Sequence, residues 1–443
     1  MKIQIRPEAN QIIHTLRQSG FAAYAVGGCV RDALLGLEPH DWDICTDAKP
    51  EQLREVFRDY RTHDFGLKHG TLAVMAGDGL YEVTTYRVDG VYADNRHPES
   101  VAFTDDLTLD LSRRDFTVNA MAYNDEDGLA DPFGGAADLK NNLLRCVGEP
   151  DRRFREDALR ILRGVRFAAT YGFLIERETA AAIHRSVPLL QHIAAERVRD
   201  ELLGMLCGAK VLPLLEEFRD VVAQAVPEIA ETCDVPQRNK HQQYDVWRHI
   251  AHSVAAIEPE PLLRLTMLLH DAGKPRARTT DRKGFNHFKG HQLISVQLAE
   301  TALRRLRCPK QLTEDCLQLI LWHDVRFDGS VPQVKRVLQQ LGAEKMRLLF
   351  SVQRADINAQ SDYRRAEKLA SVALAQRQTE EILARNECYS LRQLAVGGRE
   401  LLEAGVNQGQ QVGMILNRLL DDVIDGRVLN EKEALLQRAK GYS

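Results

Sequence analysis

Asp41 and Asp43 stand two residues apart, just ahead of Ile44-Cys45-Thr46. On a strand, residues i and i+2 point to the same side, so the two carboxylates face one way. Like charges that close repel unless a divalent cation lies between them, which makes Asp-x-Asp a metal-holding arrangement. Upstream, the apolar run Phe21 to Val26 reads as a buried strand, followed by Gly27, Gly28 and a short helical pattern from Val30 to Leu35. A helix N-terminus after a glycine turn offers free N–H groups and partial positive charge, which suits a phosphate. Arg31 adds a planar cation that can fork onto phosphate oxygens. Taken singly, a glycine pair is a turn and Asp-x-Asp a solvated strand end. Within one short unit they describe a triphosphate cradle, Gly28 and Arg31, beside a metal pair, Asp41 and Asp43.

A second set of chemically capable residues lies in the other half of the chain. His249, the adjacent His270-Asp271, His291, His323-Asp324 and Asp356 are spread over helical stretches. Histidine is the commonest nitrogen ligand for transition metals, and an adjacent His-Asp supplies two ligand types at one point. A lone His at a helix end is more ordinarily a partner of the helix dipole. Between the two sets, Arg152 to Phe167 carries arginines at 152, 153, 155, 160, 163 and 166 and no lysine. Arginine is the choice for phosphate and planar hydrogen bonding. Asp157 and Arg160, three apart on the expected helix, can lie on one face.

The elements that must position these residues follow from periodicity. Pro7 to Ser19 reads as an amphipathic helix and Pro50 to Phe57 as another. Thr71 to Met75 and Leu80 to Arg87 read as a hairpin through Gly77-Asp78-Gly79. Glu82 shares a face with Thr84 and can stand near the aspartate pair. Val88 to Thr104 has turn residues and little periodicity, a loop long enough to suggest function. Asp110 to Tyr123 is helix-like, with Ser112 as its expected cap. Beyond Lys210 the pattern is almost wholly helical, with Asp234 to Gln242 as an expected linker. The 443 residues allow about three domains. A net charge of −4 excludes a basic nucleic-acid coat, so any RNA site must be a local patch. The 8 cysteines form no C-x-x-C pair, which argues against a zinc site or disulfide framework. There is no leader-like h-region and no membrane-length apolar run, so a cytoplasmic location without membrane association is the default. The sequence carries no signal of oligomeric state.

The glycine turn and Asp-x-Asp unit resembles the polymerase β nucleotidyltransferase superfamily. It is most similar to the class II tRNA nucleotidyltransferases (CCA-adding enzymes) and the related bacterial poly(A) polymerases. Arg113-Arg114-Asp115-Phe116-Thr117-Val118-Asn119-Ala120 resembles the family's second motif, which implies a nucleotide contact for Arg114. Asp131-Pro132-Phe133-Gly134-Gly135 resembles the turn closing the catalytic head. Glu156-Asp157-Ala158-Leu159-Arg160 with Arg163 and Arg166 resembles the fourth motif, and Ala194 to Leu202 the fifth, a helix that supports the fourth. In that family the pair matching Asp157 and Arg160 reads the nucleotide base, and a flexible loop stands where Val88 to Thr104 stands here. CC-adding relatives have that loop shortened, so its presence implies full CCA addition. His249, His270, Asp271 and Asp356 resemble the ligand set of an HD metal-dependent phosphohydrolase domain, and His291 and His323 occupy places where such domains often carry extra ligands.

The resemblance implies an α/β nucleotidyltransferase head with a small mixed sheet (1–140), an all-α neck and body that binds nucleotide bases and RNA (141–232), an HD domain (233–375) and a helical tail (376–443). It implies transfer of nucleotides from CTP and ATP to the 3′ end of tRNA, with Mg²⁺ on Asp41 and Asp43 and a divalent metal in the HD site. A poly(A) polymerase, a partial CC- or A-adding enzyme, and a protein that is mainly an HD phosphohydrolase are the alternatives.

Overall fold

A computed structural model describes residues 2–66, 70–90, 101–406 and 410–442. The chain forms two compact units, Met1–Pro227 and Glu228–Ser443.

The first unit is built on a seven-stranded sheet. Across it run Thr62–Gly66, Thr71–Ala76, Gly79–Thr85, Ile44–Thr46, Ala23–Val26, Ala122–Asn124 and Gly128–Ala130. The sheet is mixed: Ile44–Thr46 runs parallel to Gly79–Thr85, and the other pairs are antiparallel. The expected hairpin closes through Gly77 and Asp78, with Ala76 opposite Gly79. Helix Pro7–Gln18 turns Ala9, Ile12, Ile13 and Leu16 into the core, each large aliphatic side chain contributing roughly 1.5–3 kcal/mol of burial.

In this unit four expectations change. Asp41 to Asp43 precede the strand, which begins at Ile44, though Asp43 is tied in because Val26 N donates to its carbonyl at 2.9 Å. Asp110 to Tyr123 is not one helix. Leu107–Ser112 is helical with Asp106 as its N-cap, Ser112 being its last residue. The chain then turns because the Asp115 carboxylate accepts from Phe116 N and Asn119 Nδ2. Val88 to Thr104 is not loop at its ends: Arg87–Asp89 pairs with Val101–Phe103, while residues 91–100 lie outside those described. Arg152 to Phe167 is two helices, Pro150–Glu156 and Leu159–Tyr171.

The second unit is helical apart from the short pair Thr279–Thr280 and Asn286–His287 among its described residues. Helices Val246–Ala256, Pro261–Leu269, His291–Arg305, Lys310–Trp322 and Val331–Asn358 carry the histidines and Asp356. The stretch Asp234 to Gln242 is no linker. It lies inside this unit, where Gln237 is buried and accepts from Lys274 Nζ at 3.0 Å. The last helices close on their own apolar cluster, including Leu401, Leu419, Leu420 and Leu435.

Candidate active site and metal centre

In the first unit, the parallel register sets Ile44 beside Val83, which brings Glu82 alongside Asp43. Desolvation first, then the charges of Glu82 and Asp41, raise the Asp43 carboxyl above its ordinary value, and Arg114 opposes them. The charges of Asp41 and Glu82 both reach Asp43, but the three carboxylates do not close to the spacing of a three-ligand cluster. A cation among them would relieve the repulsion that raises Asp43.

Gly27 makes the approach to Arg114 possible. Its φ of +82° with ψ of −127° is backbone that only glycine adopts comfortably. A Cβ there would come within 2.6 Å of Arg114 Nη1. Arg114 Nε is buried without a hydrogen-bond partner, and its Nη2 lies 4.0 Å from Asp110 Oδ2. Gly28 opens helix Gly28–Leu34, as the glycine-turn reading expects.

Arg31 is placed differently from the expected phosphate fork. It is 6% exposed, and its guanidinium donates to Asn119 Oδ1 at 2.6 Å, Tyr171 hydroxyl at 2.7 Å and Asp32 Oδ1 at 2.9 Å. It also lies over the Tyr171 ring at 4.5 Å. Nothing in the sequence near Arg31 signals Tyr171, which is 140 residues away.

The arginine helix is braced by carboxylates. Arg163 Nε donates to Asp115 Oδ2 at 2.9 Å, and Arg166 pairs with Glu201. Burial would raise Asp115, but Arg163, Asn119 and Arg160 together hold it at about 2. Asp157 has extended backbone, φ −140° and ψ 104°, and ends the first of the two helices. Its Oδ1 accepts from Leu159 N at 3.0 Å and its Oδ2 from Arg197 Nη2 at 3.1 Å. Arg160 donates to Glu156 Oε2 at 2.9 Å and to Arg113 O at 2.9 Å. Asp157 and Arg160 are thus neighbours held by separate partners, not a salt bridge on one helix face. Arg197 and Glu201, one helical turn apart in the fifth motif, were legible only as a supporting helix. Their i, i+4 spacing was the available signal.

In the second unit, His249, His270, Asp271 and Asp356 bring one ligand atom each within 4.8 Å of one another, and so do Asp271, His291 and His323. The histidines, all at or beside helix termini except His249, are buried. Each imidazole is fixed from behind. The Nδ1 atoms lie 3.4 Å from Ala359 O, 2.7 Å from Met267 O, 2.9 Å from Phe288 O and 2.6 Å from Ile320 O, for His249, His270, His291 and His323. A carbonyl accepts, so Nδ1 carries the proton and Nε2 offers its lone pair inward, the usual outer-shell support of a ligating histidine. The Nε2 atoms of His249 and His270 are buried without a hydrogen bond of proper geometry, as suits atoms meant for a metal. Gly273 lets the turn seat closely, because a Cβ there would meet His291 O at 2.4 Å. Lys274 Nζ lies 2.5 Å from Asp271 Oδ2. Burial alone would lower His270, but the charges of Asp271 and Asp356 outweigh it and raise it, so without a cation Nε2 holds a proton that a bound metal would displace. Burial, then the charges of His270 and His291, push His323 down to about 3. Among the described residues, no helix is long and apolar enough to cross a membrane.

Three family models match: the poly A polymerase head domain over residues 23–145, the probable RNA and SrmB-binding site of polymerase A over 172–232, and a putative tRNA nucleotidyltransferase domain 2 over 292–439. The CCA-adding enzyme of Levilactobacillus brevis is 34% identical, covering 98% of this chain and 99% of its own. That of Enterococcus faecalis is 32% identical over 98% and 95%. The crystal structure of the Bacillus stearothermophilus CCA-adding enzyme in complex with CTP superimposes with a TM-score of 0.72 at 30% identity, covering 99% and 98%. Identity above 30% sustained over nearly the whole of both chains places this sequence in the CCA-adding enzyme family of tRNA nucleotidyltransferases.

Proposed function

We propose that the first unit builds CCA on the 3′ end of tRNA from CTP and ATP, without a nucleic-acid template, using Asp41 and Asp43 as its metal-holding carboxylates. The observation that carries this reading is the charge arrangement at Asp43, with Asp41 and Glu82 beside it and Arg114 facing it over the glycine turn. Asp41 and Asp43 would hold Mg²⁺ there, and that ion would supply acidification of the RNA 3′-hydroxyl and neutralisation of the departing pyrophosphate. Arg114, poorly paired and held beside Gly27, is placed to meet triphosphate charge. Gly28 presents backbone N–H to the same group. Arg31 reaches a phosphate only by giving up Asn119 or Tyr171, so its first role is to brace the turn. Arg163 and Arg166 add positive charge to the nucleotide site from a scaffold fixed by Asp115 and Glu201.

Base choice falls to Asp157 and Arg160. Cytosine and adenine both present an exocyclic amino donor beside an unprotonated ring nitrogen, whereas uracil and guanine present a carbonyl beside a ring N–H. A carboxylate accepting from the amino group, with a guanidinium donating to the ring nitrogen, therefore selects C and A. Arg197 and Glu156 hold the two side chains for that task. The finer division of the chain into head, 1–140, neck and body, 141–232, HD domain, 233–375, and tail, 376–443, belongs to the same reading.

Sequencing the ends of a tRNA lacking CCA, after incubation with CTP, ATP, both, or UTP and GTP, tests all of this. The full chain is expected to add CCA and stop. Extension by ATP alone would make it a poly(A) polymerase, and arrest at CC or addition of A only would make it a partial enzyme. Asp157→Ala and Arg160→Ala are expected to weaken C and A addition and admit U and G, by about 1–3 kcal/mol of discrimination. Unchanged preference in both variants would remove them from base reading.

The histidine–aspartate cluster favours a second activity, metal-dependent hydrolysis of a phosphate ester in the second unit. Water oxygen bonds to phosphorus, the P–O ester bond breaks, and the water's proton ends on the leaving oxygen. His249, His270, Asp271 and Asp356 would hold a divalent transition ion that supplies the activated water. A positive rim suits an anionic substrate: Lys368 Nζ donates to Gln360, whose Nε2 donates to Asp356 Oδ2 at 2.7 Å. The charges of Arg326 and Arg364 act on Lys368.

A further inference from the structure

Helix Leu159–Tyr171 is gripped at two points by one run of hydrogen bonds that passes through the glycine turn. Arg163 Nε donates to Asp115 Oδ2, and Asn119 Nδ2 donates to Asp115 Oδ1 at 3.0 Å. Asn119 Oδ1 in turn accepts from Arg31 Nη1, and Arg31 Nη2 donates to the Tyr171 hydroxyl at 2.7 Å. The run thus leaves the helix at Arg163 and returns to it about two turns later at Tyr171. Asp32 completes it, accepting from Arg31 Nε and lying 2.8 Å from Nη2.

The aromatic side chains of the same helix serve the same guanidinium. Phe167 and Tyr171, one turn apart, place their ring centroids 5.1 Å and 4.5 Å from the Arg31 guanidinium carbon. The Phe167 ring also receives Arg166 at 4.3 Å and Arg163 at 5.2 Å. Arg31 stands against Gly28, where a Cβ would come 3.5 Å from Nη2 and 3.9 Å from Nη1. Gly28 begins the helix whose N–H groups meet the triphosphate in the proposed reading, and Asp157 and Arg160 stand at the opening of helix Leu159–Tyr171. A nucleotide held at both places must match the spacing between them.

We propose that Tyr171 is a positioning residue for nucleotide addition: by holding Arg31, it fixes the triphosphate turn at a set distance from the base-reading end of its own helix. The proposal rests on the reading of Gly28 as the triphosphate seat and of Asp157 and Arg160 as the base reader, and adds the residue that ties the two. A phenol suits this post, because its ring offers a face to the guanidinium and its hydroxyl accepts from it. Phenylalanine keeps the first contact and loses the second. Two sites held at the right separation before binding spare the nucleotide the cost of ordering them. Loosening the tie therefore costs nucleotide affinity and leaves the chemistry at Asp41 and Asp43 alone.

The test is steady-state addition by the full chain, to tRNA lacking CCA with CTP varied and to tRNA lacking the terminal A with ATP varied. Tyr171→Phe is expected to raise KM for both nucleotides alike, by about two- to tenfold, the scale of one hydrogen bond, with little change in kcat. A role confined to stability would lower the folded fraction, and with it the apparent kcat, and leave KM alone. Tyr171→Leu, which also removes the ring, is expected to raise KM further, Tyr171→Phe being the partial rescue. Arg31→Lys keeps the charge and loses the fork. Arg31→Lys/Tyr171→Phe is expected to be no worse than Arg31→Lys alone, because the hydroxyl acts through the guanidinium. Unchanged KM in Tyr171→Phe, or a double variant showing the full product of the two single effects, would overturn the tie, while CCA addition by the wild-type chain leaves the transferase reading standing. A wild-type chain that adds neither C nor A would overturn both.

Discussion

Asp115 is a buried carboxylate that orders three things at once: the turn after the second-motif arginines, the Asn119 side chain and Arg163. Its acidity has a stability consequence. Held at about 2 in the folded chain, against about 3.9 when unfolded, it binds a proton less readily folded than unfolded. Its contribution, about 2–3 kcal/mol, is therefore complete above about pH 5 and is lost as pH falls towards 2. Asp115→Asn is expected to lower the urea midpoint at pH 7 and to flatten its fall between pH 5 and 3. Parallel midpoint curves for the two proteins would show that Asp115 carries no such linkage. Gly27 and Gly28 separate backbone strain from chemistry. Gly27→Ala forces an L residue into a glycine-only conformation and against Arg114, so a loss of roughly 1–3 kcal/mol is expected along with activity. At Gly28 a Cβ meets only the Arg31 guanidinium, at 3.5 Å. Gly28→Ala is expected to keep its melting temperature and raise the nucleotide KM. A matching fall in stability for both variants would contradict the assignment of Gly28 to the triphosphate.

Helices in this chain work in braced pairs, and the brace that matters for selectivity is Ala195–Leu206 against Leu159–Tyr171. Arg197 on the first holds Asp157, and Glu201 holds Arg166 with Arg163 nearby at 3.8 Å. Removing Arg197 frees one Asp157 oxygen without touching base or metal. Arg197→Ala is expected to relax the bar against U and G about two- to five-fold, the scale of a partly exposed ion pair, with Arg197→Lys recovering part of it. Misincorporation equal to wild type in Arg197→Ala would make the contact irrelevant to base reading. The sequence was a good guide to elements whose signal is local. Helix Pro7–Gln18, the hairpin through Gly77 and Asp78, and the helical second unit all follow from apolar spacing. It misled where a polar side chain overrides that spacing. Asp157 caps Leu159 N and breaks a run of uninterrupted helical periodicity, and Asp115 does the same inside a helix-like stretch. Candidate site residues stand out in the sequence by type, as carboxylates, arginines and histidines. Their partners do not: Arg31 with Tyr171, or Asp271 with His291 and His323, are contacts fixed only by tertiary packing.

At the scale of the whole molecule, the two proposed chemistries draw on residues from different units. Asp41, Asp43, Glu82, Arg114, Asp157 and Arg160 all precede Pro227, and His249, His270, Asp271, His291, His323 and Asp356 all follow it. The residues assigned to each chemistry belong to one unit, so each activity should be removable alone. His270→Ala takes away one buried nitrogen whose Nδ1 is anchored on Met267 O. It leaves the carboxylates and arginines of the first unit untouched. Such a variant is expected to lose metal-dependent phosphate-ester hydrolysis by at least about a hundredfold, the scale at which even supporting residues of metal sites act. It should still add CCA at close to the normal rate. Asp41→Ala is expected to show the opposite pattern, with nucleotide addition abolished and hydrolysis retained. Its affinity for tRNA should change little, because RNA binding by a chain of net charge −4 comes from a local set of phosphate contacts, and metal-holding carboxylates are not among them. Filter binding over a series of salt concentrations checks that point: an unchanged slope of log affinity against log salt means an unchanged number of phosphate contacts. A His270→Ala protein that stays folded by circular dichroism yet stops adding nucleotides would show the two activities to be coupled, and the division of labour between the units would be wrong.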